Sequence, residues 1–123
     1  MKHKAYRSTL IVAFLLFVAA GAQGMIDGVM GQEFTLTAKS GYLSTPDGNS
    51  IFFWGYANGD GTAQYPGVTM IVTEDQPVNV TLNNTLDVPV SIVFPGQSNV
   101  TAVGGTAGLL ANEVGNGQSV TYT

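Results

Sequence analysis

The chain has 123 residues, a formal net charge of −4, 45% hydrophobic residues and no cysteine. This length fits one domain, and the lack of cysteine excludes disulfides and thiolate metal ligands. Four basic residues against eight acidic ones cannot form the basic surface that nucleic-acid binding needs.

Residues 1–22 have the composition of an export signal peptide. Three basic residues precede an apolar run at residues 10–20, and small residues at 20–22 supply a cleavage site. The apolar run is shorter than the roughly 20 residues that a permanent membrane helix needs, so an uncleaved anchor is the less favoured alternative. Gly24 offers a second cleavage point. Export without disulfides indicates a bacterial protein of the periplasm, the cell surface or the medium.

Removal of residues 1–22 changes the chemistry that the chain can support. The remaining chain has one basic residue, Lys39, against eight carboxylates, and its formal net charge is −7. Its only histidine, His3, leaves with the signal. The sequence therefore predicts no nucleic-acid partner and no membrane partner after signal removal. It also lacks the imidazole and thiolate ligands on which protein copper sites depend.

The first part of the mature chain predicts a lead-in followed by a strand. Residues 23–31 are glycine-rich and are predicted to be a flexible lead-in. Residues 33–38 alternate apolar and polar side chains, which places Phe34, Leu36 and Ala38 on one face of a strand.

An aromatic strand is predicted next. Residues 46–49 (PDGN) carry turn chemistry, and residues 51–56 (IFFWGY) follow as a strand. Phe52, Phe53, Trp54 and Tyr56 are expected to fill the core or face a neighbouring domain. A sugar-stacking platform is the weaker alternative for these aromatics.

Residues 65–97 are the most informative stretch. A Pro-Gly turn opens a strand, and an acidic turn at residues 74–77 closes it. Residues 78–82 alternate with period two and predict a second strand. Residues 90–94 predict a third, which stops at a second Pro-Gly pair.

The end of the chain predicts one more strand. Residues 98–108 are rich in Gly, Thr and Ala and are expected to form a long loop. Residues 109–114 fit either a short strand or a helical turn. A turn at residues 115–117 precedes an alternating strand at residues 118–123. About seven strands in all predict an all-β Greek-key β-sandwich.

This pattern resembles the first plastocyanin-like (cupredoxin) domain of multicopper oxidases. That family places a Pro-Gly strand, an acidic turn and a Val-x-Val-x-Leu-x-Asn strand before Ser-Ile-His-Trp-His-Gly. The residues that match are Pro66, Gly67, Glu74, Asp75, Val78, Val80, Leu82, Asn83, Leu86, Ser91, Ile92 and Gly96. Residues 46–49 and 54–56 resemble the start of the N-terminal domain in a bacterial subgroup of multicopper-oxidase-like proteins. Val93 and Pro95 stand where the family has copper-binding histidines.

The resemblance implies a cupredoxin-like domain over residues 32–123 with an incomplete C-terminal edge. The family carries further strands and a second His-x-His motif beyond the point that Thr123 reaches. An open edge and a partly uncovered apolar face are therefore expected. The resemblance also implies partners: further cupredoxin domains of a longer chain, or a strand-donating partner.

We predict no catalytic, cofactor-binding or metal-binding residue in this chain. Copper is implied only for the parent family. The soft ligands that remain are three methionines, Met25, Met30 and Met70, with core packing the better interpretation of Met70. A calcium site from turn residues is a weaker alternative. Its candidate ligands are Asp47, Asn49, Asp60, Glu74 and Asp75.

Two functions follow as expectations. The first is an N-terminal cupredoxin-like domain, or a fragment of one, from an exported multicopper oxidase that couples substrate oxidation to oxygen reduction. In that case the chain has a structural role and is expected to be inactive on its own. Whether it forms part of an enzyme is left open. The alternative is a secreted, non-enzymatic β-sandwich module for assembly or binding that a partner strand completes.

Overall fold

The computed structural model describes residues 28–123, and the predicted signal peptide at residues 1–22 lies outside them. Every regular element in the described part of the chain is a β-strand, so the predicted all-β class is confirmed. The strands are β1 (Val29–Met30), β2 (Glu33–Ser44), β3 (Ser50–Asn58), β4 (Met70–Ile71), β5 (Asn79–Asn84), β6 (Ala102–Gly104), β7 (Thr106–Ala107), β8 (Asn112–Glu113) and β9 (Ser119–Tyr122). Within residues 28–123 no helix is long and apolar enough to cross a bilayer.

The main sheet has five strands in the order β3-β2-β5-β9-β6. β2 pairs with β3 as an antiparallel hairpin and with β5 in parallel, while β9 is antiparallel to both β5 and β6. Two short ladders, β1 with β4 and β7 with β8, lie outside this sheet. Side chains alternate between the two faces of a strand, so every second residue of the five strands lies on the same face of the sheet, and that face carries the core.

The core lies between that face of the sheet and a covering layer of extended chain. On the sheet side Leu82, Val120 and Tyr122 are almost fully buried. On the covering side Leu86 and Val114 are buried against them, with half-buried apolar residues between. A second cluster around Phe34, Leu36 and Val80 packs under β1 and β4. Burial of these apolar side chains is the main source of stability.

The strand predicted at residues 90–94 is not formed as a ladder. Val90 and Val114 exchange backbone hydrogen bonds of 3.1 and 2.8 Å, and this single bridge is the only strand pairing of the segment. The alternation is nevertheless real, because Ile92 and Phe94 pack on the core while Val93 is exposed. The pattern recorded burial correctly, but no neighbouring strand supplies hydrogen bonds beyond Val90.

Two further segments differ from the sequence prediction, and an alternative left open for a third is decided. The described end of the predicted lead-in forms β1, because the Val29 N–H donates to the Thr69 carbonyl at 2.8 Å and Gly31 to Ile71 at 3.0 Å. The predicted loop at residues 98–108 contains β6 and β7. Of the two alternatives for residues 109–114, the short strand is confirmed, as β8.

The last strand is internal to the sheet. β9 has β5 on one side and β6 on the other, and Thr123 also exchanges backbone hydrogen bonds with Thr101 at 2.9 and 3.0 Å. The open edges of the five-stranded sheet therefore belong to β3 and β6.

Candidate functional site: an aromatic ribbon

The hairpin of β2 and β3 extends beyond the rest of the sheet. Pairing between β2 and β5 ends at Ala38 and Asn84, whereas pairing between β2 and β3 continues to Ser44 and Ser50. Residues 40–44 and 50–54 therefore form a two-stranded projection, here called the aromatic ribbon. Its tip is the predicted turn, in which Thr45 N–H donates to the Asn49 carbonyl at 2.8 Å.

Three aromatic side chains are exposed on one face of the aromatic ribbon. Tyr42 lies directly opposite Phe52, with ring centroids 5.4 Å apart and edge-to-face geometry. Trp54 lies opposite Ser40 on the same face. The exposed fractions of Tyr42, Phe52 and Trp54 are 72%, 55% and 57%. Phe52 and Trp54 therefore do not fill the core, which ends before their positions. The other expectation for these aromatics, that they face a neighbouring domain, stays a prediction.

The opposite face of the aromatic ribbon has its own support. The Phe53 ring is half-buried and lies against two glycines: a Cβ on Gly41 would meet it at 3.1 Å and a Cβ on Gly55 at 2.7 Å. The Tyr65 ring packs edge-to-face on Phe53, with ring centroids 6.3 Å apart. Glycine at these two positions thus allows the aromatic ring to lie flat on the sheet.

A lysine anchors the loop that carries Tyr65. Lys39 Nζ donates to the Gly61 carbonyl at 2.9 Å and to the Asp60 carbonyl at 3.4 Å. The Gln64 N–H donates to the Tyr56 carbonyl at 3.2 Å, which attaches the loop to the outer side of β3. These contacts fix the aromatic ribbon to the body of the domain.

A cleft of about 620 Å³ lies at the other end of the core. Val80, Phe94 and Tyr122 form its apolar floor, and the loops at residues 72–76 and 97–100 form its polar rim. Asp75 and Asn99, which have φ of 59° and 64°, stand on these two loops. The volume is in the range of small-molecule sites, but the rim has two carboxylates and no basic residue.

The residues considered for metal binding do not come together. No group of three or more Asp, Glu, His or Cys side chains converges in residues 28–123. Asp47 is held in its own turn by Thr45 and Asn49, and these hydrogen bonds lower the pKa of its carboxyl. Met30 is 81% exposed in β1, while Met70 packs on the second core cluster.

Two residues, Val93 and Pro95, stand where multicopper oxidases, which the sequence resembles, have copper-binding histidines. Val93 and Pro95 are exposed and flank Phe94, which points into the core and contacts Tyr122 edge-to-face at 5.6 Å. Neither side chain can ligate a metal. Exposed aromatic surface is the distinctive feature of the described chain.

Comparisons of the chain with protein-family models, with curated proteins and with solved structures give no match.

The sequence identified Phe52, Phe53 and Trp54 as aromatics of one strand, but it did not indicate Tyr42 or which face of the strand is exposed. A signal was present: residues 51–54 are apolar at every position, which fits a strand whose two faces both carry apolar side chains. Which face stays exposed depends on how far the hairpin of β2 and β3 extends beyond the rest of the sheet. The sequence does not give that length.

Proposed function

We propose that the chain is a non-catalytic, exported docking domain of cupredoxin-like type, the N-terminal domain of a multicopper-oxidase-like protein. Its role is to present the aromatic ribbon to a neighbouring cupredoxin domain. Copper, substrate oxidation and oxygen reduction belong to those other domains. The resemblance of residues 65–97 supports the family, and the predicted signal peptide supports export.

The exposed face of Tyr42, Phe52 and Trp54 is the observation that carries the docking role. Large apolar patches on a monomer often mark interaction sites, and aromatic side chains supply much of the binding energy in interfaces. Edge-to-face packing of Tyr42 on Phe52 and the backing by Phe53 hold the surface in place. Such an arrangement loses little conformational entropy when a partner covers it.

The chemistry of the described chain agrees with a supporting role. A nucleophile or general base needs a partner at hydrogen-bond distance, and residues 28–123 contain no His or Cys. Glu74 and Asp75 are adjacent and exposed in a turn. These residues fit best with a structural role for this domain, with the catalytic residues supplied by a partner domain.

A direct test is to isolate the native polypeptide that contains this sequence and to measure its mass and copper content. The proposal predicts a mass well above the 12.8 kDa of this chain and bound copper. The chain expressed alone, dialysed against Cu²⁺, should retain none. A native product that is no larger than this chain and free of copper would exclude the oxidase parent.

The second candidate is a secreted assembly module completed by a partner strand. One observation favours it: β3 is a nine-residue edge strand, and among residues 28–123 its outer side is bridged only at Tyr56. Strand addition to such an edge is a common mode of recognition. A copper-free product of the size of this chain that forms stable complexes would support this alternative.

A further inference from the structure

Within residues 28–123, the outer edge of β3 presents backbone groups without a hydrogen-bond partner at alternate residues. The Gly59 N–H donates to Thr35 of β2, whereas the Tyr56 carbonyl accepts from Gln64 on the outer side. In an antiparallel strand the N–H and C=O of one residue point to the same side, and the side alternates along the chain. The odd-numbered residues of β3 therefore face β2, and Ser50, Phe52 and Trp54 direct their backbone groups outward.

This edge lacks the features that normally prevent strand addition. Natural edges are protected by lysine, proline, bulges or short length. Residues 48–59 contain no charged residue and no proline, and β3 pairs with β2 without a bulge from Ser50 to Asn58. The other edge, β6, has only three residues. β3 is therefore the open edge at which a strand can add.

We infer that β3 pairs with β3 of a second copy of this chain, antiparallel and across a two-fold axis at Phe52. The three outward residues are symmetric about Phe52. Self-pairing places Phe52 opposite its own copy and Ser50 opposite Trp54, so that the backbone groups of all three residues are paired at once. The bridge to Gln64 at Tyr56 stops the pairing on one side, and the hairpin turn stops it on the other.

Charge restricts where two copies of the chain can meet, and an edge without protection against strand addition is prone to self-association. Residues 28–123 have one basic residue against seven acidic ones, so two copies repel each other over most of their surfaces. The uncharged stretch at residues 48–59 is where they can approach without placing like charges opposite each other. Aromatic side chains meet there instead, with Phe52 at the axis, and such pairs add stability.

The size of the contact sets the expected strength. About five residues of each copy take part, so the buried area is below the about 1,200 Å² of a standard specific interface. We expect a reversible dimer with a dissociation constant in about the micromolar range. This inference does not depend on the proposed copper-containing parent, and the two can fail separately.

The experiment combines sedimentation equilibrium with amide exchange on the purified exported chain. The wild-type chain should change from monomer to dimer over about the micromolar range. Raising the concentration should slow amide exchange at Phe52 and Trp54, whose N–H groups face outward. Exchange at Phe53, whose N–H is bonded to β2, should stay slow at both concentrations.

Two matched variants separate edge pairing from general stickiness of the aromatic ribbon. F52K places two like charges at the two-fold axis and should weaken the dimer about tenfold or more. Y42K removes an aromatic ring from the same face but lies one strand away from the edge, and should weaken the dimer much less. Equal loss in both variants would show that the face, and not the edge, makes the contact.

Several results would overturn the inference. One is a wild-type chain that stays monomeric at all concentrations. Another is a dimer in which exchange at Phe52 and Trp54 does not slow. The exchange experiment uses the wild-type chain, so it remains decisive even if F52K does not fold.

Discussion

Asn84 donates a hydrogen bond of 2.8 Å from Nδ2 to the backbone carbonyl of Val114, and this contact ties the main sheet to its covering layer. The same amide donates to the Val88 carbonyl at 2.7 Å, and its Oδ1 accepts from the Leu86 N–H at 2.8 Å. Asn84 is 1% exposed. One buried side chain thus satisfies three backbone groups of a segment that has few partners of its own.

Replacement of Asn84 by alanine should destabilise the fold by about 2–4 kcal/mol. It leaves the Leu86 N–H and the Val88 carbonyl without a partner, while the Val114 carbonyl keeps only its bond from the Val90 N–H. Urea unfolding of N84A measures the effect. N83A is the matched control: Asn83 is the next residue on β5, half-buried on the opposite face. We expect N83A to cost less than about 1 kcal/mol. Equal losses in the two variants would contradict the role given to Asn84.

Gly55 should not tolerate even a methyl group. A Cβ at this position would lie 2.6 Å from the Gln64 carbonyl oxygen and 2.7 Å from the Phe53 ring. G55A should therefore destabilise the chain by about 1–3 kcal/mol, and the strain should act on the aromatic ribbon. Gly67 has no atom within 4 Å of such a Cβ, so G67A is the control and should have little effect. Thermal unfolding of both variants would decide.

Thr37 should be more stable as valine. Its Oγ1 is buried without a hydrogen-bond partner, and the residue is 4% exposed. Valine keeps the branched shape and removes the desolvated hydroxyl, so T37V should raise the free energy of unfolding by up to about 1 kcal/mol. T35V, an exposed position on the same face of β2, should change it little. Destabilisation by T37V would indicate that the hydroxyl has a partner.

Tyr56 should make stability fall at alkaline pH. Its hydroxyl donates to the Ser91 carbonyl at 3.1 Å, and burial first, then the nearby Tyr122, raise its pKa above the usual value. The unfolded value is about 10. Because the folded chain holds this proton more tightly, the contribution is complete below about pH 10 and is lost as the pH rises through the folded pKa.

Unfolding of wild type and Y56F at about pH 8 and about pH 11 measures the contribution of Tyr56 to the pH dependence of stability. The alkaline loss of stability should be smaller in Y56F than in wild type. The same loss in both chains would show that other tyrosines or the carboxylates control the alkaline transition.

The strands that the sequence predicted well have strong period-two patterns. Residues 33–38, 78–82 and 118–123 alternate cleanly, and β2, β5 and β9 form there as the three central strands of the sheet. Residues 90–94 alternate equally well without becoming a ladder. Alternation records which side chains are buried, whereas a strand also needs a neighbouring backbone, and that neighbour is set by tertiary structure.

The candidate site was harder to predict for the same reason. The sequence identified the aromatic residues of β3, but the expected core position is contradicted for Phe52 and Trp54. Whether an apolar residue is buried at the end of a long hairpin depends on how far the next strand extends, and β5 pairing stops at Asn84. The expected incomplete C-terminal edge stays a prediction, and in the described chain β9 is internal to the sheet, with β5 on one side and β6 on the other.

Footprinting of Trp54 tests the docking role most directly. Trp54 is the only tryptophan in the sequence and is 57% exposed, so its oxidation by hydroxyl radicals, read at this residue by mass spectrometry, reports on its surroundings. The account predicts rapid oxidation of Trp54 in the purified chain, diluted below any self-association, and strong protection in its native, exported state. Equal oxidation in the two states would contradict the claim that the aromatic ribbon is a docking surface.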